Sequence, residues 1–126
     1  MLKTELTKIM FLDIETVPQT ADFSEISLEL AHLWEDKFGT IHKRMPEKYD
    51  VETTAAEAFN NSAGIYAEFG KIVCISVGFI HFIDQEMHFR TKSFRGDDEK
   101  QLLTDFTSLI YKFFTSKEQS LSLIHI

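Results

Sequence analysis

Cysteine is almost missing from this chain, and a whole class of scaffold goes with it. The single Cys74 among 126 residues can close no disulfide framework, so a reducing, cytoplasmic interior is the natural compartment. Cys74 lies inside an apolar strand pattern, where a thiol serves as a small buried hydrophobe. No apolar run reaches membrane-spanning length, and acidic Glu5 ahead of one short apolar strand is not a signal-peptide pattern. No membrane partner is expected. Basic residues are in deficit as well: 13 Lys and Arg stand against 20 Asp and Glu, a formal net charge of -7. Nonspecific phosphate binding depends on cations that release counterions, so this balance argues against it. It leaves a metal-dependent nuclease open, because bound cations offset part of the repulsion between carboxylates and phosphate.

What is present is a chain long enough for one domain with a modest core, with a hydrophobic content of 44%. It is organised around Lys8-Ile9-Met10-Phe11-Leu12-Asp13-Ile14-Glu15-Thr16. The run from Ile9 to Leu12 is apolar at every position, which suits a strand buried on both faces of a sheet. Its charges come only at the end. Strand side chains alternate, so Asp13 and Glu15 emerge on one face, close enough to share a divalent cation or to ligate neighbouring ones. Burying two like charges without such a cation is costly. The plain alternative is a strand fraying into solvent at Asp13, its carboxylates capping a turn that Pro18 completes.

Further along, Thr16-Val17-Pro18 is expected to turn the backbone out. Asp22 and Glu25 have capping-box spacing, and Ile26, Leu30, Leu33 and Trp34 recur as the apolar stripe of a helix ending near Gly39. Trp34 therefore reads as packing rather than a base-stacking platform. The basic piece His42-Lys43-Arg44-Met45-Pro46-Glu47-Lys48 reads as a solvated loop that could touch a phosphate backbone, and no second His or Cys stands at ligand spacing from His42. Thr54 and Glu57 form a second capping box, opening a helix to about Ala63-Gly64. Ile72 to Ile83 is a strand with a close contact or bulge at Gly78, and Asp84-Gln85 turns it into Glu86 to Phe94, a partner with one wetter face. A two-residue turn sets His81 opposite His88. Gly96-Asp97-Asp98-Glu99 puts acid at a helix start, followed by Leu102, Leu103, Phe106, Leu109, Ile110, Phe113 and Phe114 as one apolar side that should lie across the sheet.

Phe11-Leu12-Asp13-Ile14-Glu15-Thr16 resembles the first motif of the DEDD 3′-5′ exonucleases. Glu68-Phe69-Gly70-Lys71-Ile72-Val73-Cys74-Ile75-Ser76-Val77-Gly78 resembles the second strand of the proofreading exonuclease domain in family B DNA polymerases. With Ala63-Gly64-Ile65-Tyr66-Ala67-Glu68 and Ser93-Phe94-Arg95-Gly96-Asp97-Asp98-Glu99-Lys100, the chain to about Lys117 is similar to the predicted PolB-like 3′-5′ exonuclease family of bacteria. That resemblance implies an α/β fold with a ribonuclease H-like mixed sheet, with a helical insertion at about 19–67 between strands 1 and 2. It implies that Asp13 and Glu15 are catalytic and help hold two Mg²⁺ or Mn²⁺ ions, with Ile14 and Thr16 approaching the terminal nucleotide. The implied substrate is nucleic acid with a free 3′ end, single-stranded DNA foremost, and the product a nucleoside monophosphate.

The family pattern also requires two later aspartates and a Tyr or His base in motifs beyond those matched here, and the 126 residues are read as stopping before them. Residues 1–119 are thus expected to be the N-terminal part of one exonuclease domain, truncated after three strands and the first core helix, with strand 1 left as an apolar edge prone to aggregation. One reverse translation of Leu121 to Ile126, CTG TCT CTT ATA CAC ATC, is a transposon end used as a sequencing adaptor, so residues 120–126 are expected to be a non-native tail; the alternative is a native apolar tail that pairs as a strand. On this reading the piece binds metal weakly and cleaves little. The competing class is a noncatalytic nucleic-acid-binding or interaction module on the same fold; a third is an unrelated α/β domain with a chance D-x-E.

Overall fold

The computed structural model describes the backbone of residues 3–114 and 120–123 and the side chains of residues 5–114. The chain divides into two compact units, residues 1–15 with 72–126, and residues 16–71.

The first unit opens on a four-residue helix, α1 (Lys3–Leu6), and then the strand β1 (Ile9–Pro18). Strands β2 (Gly70–Ile83) and β3 (Glu86–Arg95) complete an antiparallel three-stranded sheet with it, and the helix α4 (Glu99–Phe113) follows. Asp84 and Gln85 both have positive φ, 49° and 70°, the twist that a two-residue hairpin loop needs. The register this sets is unbroken from Cys74↔Arg95 to Ile83↔Glu86 and puts His81 opposite His88, their rings stacked at 5.4 Å. Gly78 therefore marks a close contact and no bulge, as a Cβ there would overlap the Phe89 ring.

One face of this sheet is covered by α4. Met10, Leu12, Ile75, Val77 and Leu102 are buried together, with Phe79, Phe94, Phe106, Ile110 and Phe113 packed around them. The helix start is fixed from both sides: Asp98 accepts from the Gln101 amide at 3.0 Å, and the Glu99 carboxylate accepts from the Ile72 amide of β2 at 2.7 Å. The acidity of Gly96 to Glu99 is thereby accounted for by capping and by one tie to the sheet.

Three expectations for this unit are corrected. Ile9 and Phe11 are only half-buried, so β1 is fully covered on one face alone. Nearly all of β3 is exposed on both faces, with Phe94 half-buried, because β3 is the outer strand of the sheet. And the sheet has a fourth strand, β4 (Ser120–Leu123), parallel to β1 with Ile9↔Ser120 to Leu12↔Leu123, in the order β3-β2-β1-β4. The sheet does not stop at three strands. Ser120-Leu121-Ser122-Leu123 alternates at the period of a strand, and backbone groups on the second side of β1 need partners. The edge predicted to be bare is thus paired over Ile9–Leu12. The last three residues of the expected tail, 124–126, lie outside the described residues.

The second unit spans the stretch read as an insertion. Its two helices are α2 (Leu28–Arg44) and α3 (Ala55–Ser62), each preceded or followed by a single 3-10 turn, Phe23–Glu25 and Ala63–Ile65. Trp34, Phe38, Ala58, Phe59, Ala63 and Phe69 form its core, and the Trp34 Nε1–H donates to the Ala55 carbonyl at 2.7 Å. Trp34 is packing, as its place in the stripe implied, whereas Leu33 of the same expected stripe is exposed and Ile26 precedes the helix. The Thr54–Glu57 box is complete: the Thr54 hydroxyl accepts from the Glu57 amide and the Glu57 carboxylate from the Thr54 amide.

Boundaries differ more here. Asp22 spends its carboxylate on the amide and hydroxyl of Ser24, so the cap of α2 is Ser27 instead. The helix runs through Gly39 to Arg44, taking His42, Lys43 and Arg44 out of the expected loop and into a last turn, where cations suit the helix dipole. His42 stacks on Phe38 at 5.4 Å. Thr16-Val17-Pro18 continues β1 instead of leaving it, and the next residue, Gln19, donates its amide to the Phe69 carbonyl at 2.9 Å. Proline at the last position of a strand forfeits no interior ladder bond.

Candidate functional site

β1 is an inner strand, and its alternation separates two kinds of chemistry. Met10 and Leu12 enter the core under α4, while Phe11, Asp13 and Glu15 stand on the opposite face. Asp13 is half-buried and Glu15 exposed, and among the described residues neither carboxylate has a hydrogen-bond or ion-pair partner. The pair sits in the carboxyl-terminal half of β1, just past its pairing with β4. Around β1 the strand order changes direction, β2 and β3 lying to one side and β4 to the other.

The same face continues across the sheet. The β2–β3 register places Cys74, Ser76, Gly78 and Ile80 opposite Arg95, Ser93, Thr91 and Phe89, and the contact between Phe11 and Phe89, with ring centroids 5.8 Å apart, shows that these belong to the carboxylate face. The Ser76 and Ser93 hydroxyls lie 2.9 Å apart, and the Cys74 thiol 3.7 Å from Ser76. Cys74 is half-buried rather than sealed in the core.

Of the residues singled out from the sequence, Asp13 and Glu15 share a face as predicted. Ile14 is 38% exposed and its side chain lies on the α4 side, so beside the carboxylates it offers only its backbone. Thr16 is exposed on β1 and is the first residue of the second unit. Carboxylate oxygens are the hard donors that Mg²⁺ and Mn²⁺ take. The donor type fits, but the number is small: among the described residues no group of three or more His, Cys, Asp or Glu is placed to hold a metal ion. Phe11, Phe89, Ser76, Ser93 and Arg95 were not recognised from sequence as neighbours of the pair. The parity of Met87 and Phe89 in the hairpin was readable, whereas the alignment of β1 against β2 is set by contacts far apart in the chain.

Among the described residues, no helix is long and apolar enough to cross a membrane. Comparison of the chain with protein-family models, with curated proteins and with solved structures yields no match.

Proposed function

We propose that this chain carries the first acidic motif of a metal-dependent 3′-5′ exonuclease on a ribonuclease H-like sheet, acting on nucleic acid with a free 3′ end, single-stranded DNA foremost. One observation carries the reading: Asp13 and Glu15 stand unpaired on the open face of an inner strand, opposite the helix-covered core. Two like charges held without a counterion are poised for a cation. A central β1 with a further strand on its second side after the helix also agrees with the family resemblance. Asp13 and Glu15 would hold the cation, and Thr16 with the backbone of Ile14 would flank the terminal nucleotide. Divalent cations bound there would supply an activated water and stabilisation of the departing 3′ oxygen. With two of the four implied carboxylates, the 126 residues are expected to bind metal weakly and turn over little.

A second reading, a nucleic-acid-binding module without catalysis, is favoured by the lack of a third acidic, His or Cys partner among the described residues. Mn²⁺ uptake followed by electron paramagnetic resonance, run beside release of mononucleotides from 3′-labelled single-stranded DNA, separates the two. Mn²⁺-dependent release abolished by Asp13→Ala supports the enzyme, and DNA binding without release supports the module. Absence of uptake, binding and release together overturns both.

A further inference from the structure

We infer that His81 and His88 form a second metal site, a two-imidazole chelate for a divalent transition-metal ion, Cu²⁺ foremost and Ni²⁺ or Zn²⁺ less tightly. It differs from the carboxylate site proposed above in place, in donor type and in metal. Alternation along β2 puts His81 on the face of Val77 and Phe79, which α4 covers, whereas Asp13 and Glu15 stand on the opposite face. Phe79 meets Phe113, the last residue of α4, with ring centroids 4.9 Å apart. His81 is the next position on that face toward the hairpin turn and is half-buried, and His88 opposite it is exposed. The pair is therefore open to solvent on the side of β3.

The two rings are near parallel, at 28°, with centroids 5.4 Å apart. A metal about 2.0–2.1 Å from each coordinating nitrogen lies about 3 Å from each ring centre, so rings sharing it at a tetrahedral angle have centres about 5 Å apart. The hairpin register thus already holds the imidazoles at the separation a shared ion requires. What remains is rotation of each ring about its Cβ–Cγ bond, a broad torsion. Among the described residues neither ring has a hydrogen-bond or ion-pair partner that a metal would displace. No third His, Cys, Asp or Glu joins them there, so water completes the coordination. Glu86 and Arg90 flank His88 on the same strand face, one charge of each sign, and offset each other. Imidazole suits Cu²⁺, Ni²⁺ and Zn²⁺, whereas Mg²⁺ and Mn²⁺ take oxygen, and Cu²⁺ heads the affinity order of the divalent ions.

The test is calorimetric titration of the chain with Cu²⁺ and with Zn²⁺ at neutral pH, in excess Mg²⁺ so that carboxylates are already served. Cu²⁺ should bind the tighter of the two. His81→Asn and His88→Asn should each weaken uptake at least about 10-fold, the least that even an outer partner of a metal ligand contributes. Asp13→Asn and His32→Asn should leave it unchanged. Electron paramagnetic resonance of the Cu²⁺ complex should show hyperfine splitting from two nitrogens. One readout needs no variant: Zn²⁺ should move the ring-nitrogen resonances of two histidines of the parent chain together. Uptake that survives either histidine variant, movement of a single histidine, or no uptake at all overturns the chelate. Loss of uptake in Asp13→Asn puts the ion at the carboxylates and overturns it equally. Cu²⁺ uptake that depends on both histidines while Mn²⁺ uptake fails supports this site and refutes the carboxylate reading alone.

Discussion

Gly64→Ala should destabilise the second unit, and the structure sets the size. A Cβ at position 64 would lie 2.7 Å from the Val17 carbonyl carbon and 2.9 Å from the Pro18 nitrogen and the Val17 Cα. All three atoms are backbone at the end of β1, so no side chain can swing aside. Non-bonded carbons prefer about 3.5–4.0 Å, and the strand end or the 3-10 turn must therefore retreat by close to an ångström. Overpacking of this kind costs about 1–3 kcal/mol. The lost freedom of glycine in the unfolded chain returns about 0.4–1 kcal/mol, since residue 64 does not have a left-handed backbone that alanine would strain. The net is a loss of about 1–2 kcal/mol. Trp34, the single tryptophan and fully buried in the same unit, reports it directly by fluorescence. A urea melt should shift its midpoint down by about 1 M at the slope of a small domain. Gly78→Ala is the control, because its obstacle is the free end of the Phe89 ring, which can rotate away. That variant should lie within about 1 kcal/mol of the parent, trading one aromatic contact against the entropy of a strand glycine. If Gly64→Ala melts with the parent, the close approach of the 3-10 turn to β1 is wrong.

Other outcomes follow from the same contacts. Mn²⁺ at ten times its dissociation constant should stabilise the parent by about 1.4 kcal/mol and Asp13→Asn not at all, read as the shift in thermal midpoint; equal shifts would refute a site at Asp13. In acid the second unit should lose stability. The Ser24 amide holds the Asp22 carboxyl below its ordinary value of 3.8, the Thr54 amide does the same for Glu57, and the Lys37 ammonium for Glu68, each below 4.5. Carboxyls with lowered folded values stabilise above the ordinary values and cease to do so as pH falls through the folded ones. The Trp34 signal should therefore show the unit weakening below about pH 4, with a shallower decline in Glu57→Gln, which has no carboxyl to titrate; an unchanged decline in that variant would count against the Glu57 contribution. Thr54→Ala should cost about 0.5–2 kcal/mol at neutral pH. Glu99→Ala strips the Ile72 amide of its acceptor and should cost about 1–3 kcal/mol in the first unit, measured by hydrogen exchange at that amide.

The sequence makes plain those features whose cause is local. The Thr54–Glu57 box needs four residues, the Asp84-Gln85 turn two, and the one-sided stripe of α4 a single helix; each is formed as expected except that Leu103 is exposed beside the packed face of α4. The pairing of His81 with His88 followed from the turn length alone. What failed was competition between neighbours. Asp22 and Ser27 both have capping chemistry, and Asp22 is drawn off by Ser24 and by Asn60, which is 38 positions away in sequence. Gly39 was read as a stop, yet the burial of Phe38 beside it carries the helix onward at a cost of about 1 kcal/mol for the glycine. β4 was only the lesser alternative for the tail, because four alternating residues carry little pattern on their own and only the vacant side of β1 gives them a partner.

The candidate site divides in the same way. That Asp13 and Glu15 share a face is a matter of parity within one strand and needs no tertiary information. That the face is the open one depends on which side α4 covers, and this is decided by Met10 and Leu12 against Ile75, Val77 and Leu102. The split explains an oddity of β1: it is apolar at four successive positions, yet only two of them are buried. Phe11 has no core to enter. Its aromatic neighbour on that face, Phe89, comes from the outer strand and is itself exposed. A sheet face meant only for water would gain by replacing both rings with polar residues, as the alternation of a half-solvated strand ordinarily does. Two phenylalanines kept there, beside two unpaired carboxylates and with glycine beneath one ring, leave an apolar patch next to a place for a cation. Phe11→Ser with Phe89→Ser should therefore leave the α4 core intact, with far-ultraviolet circular dichroism and a thermal midpoint close to the parent's; loss of cooperative unfolding in that double variant would show that the rings are needed for packing.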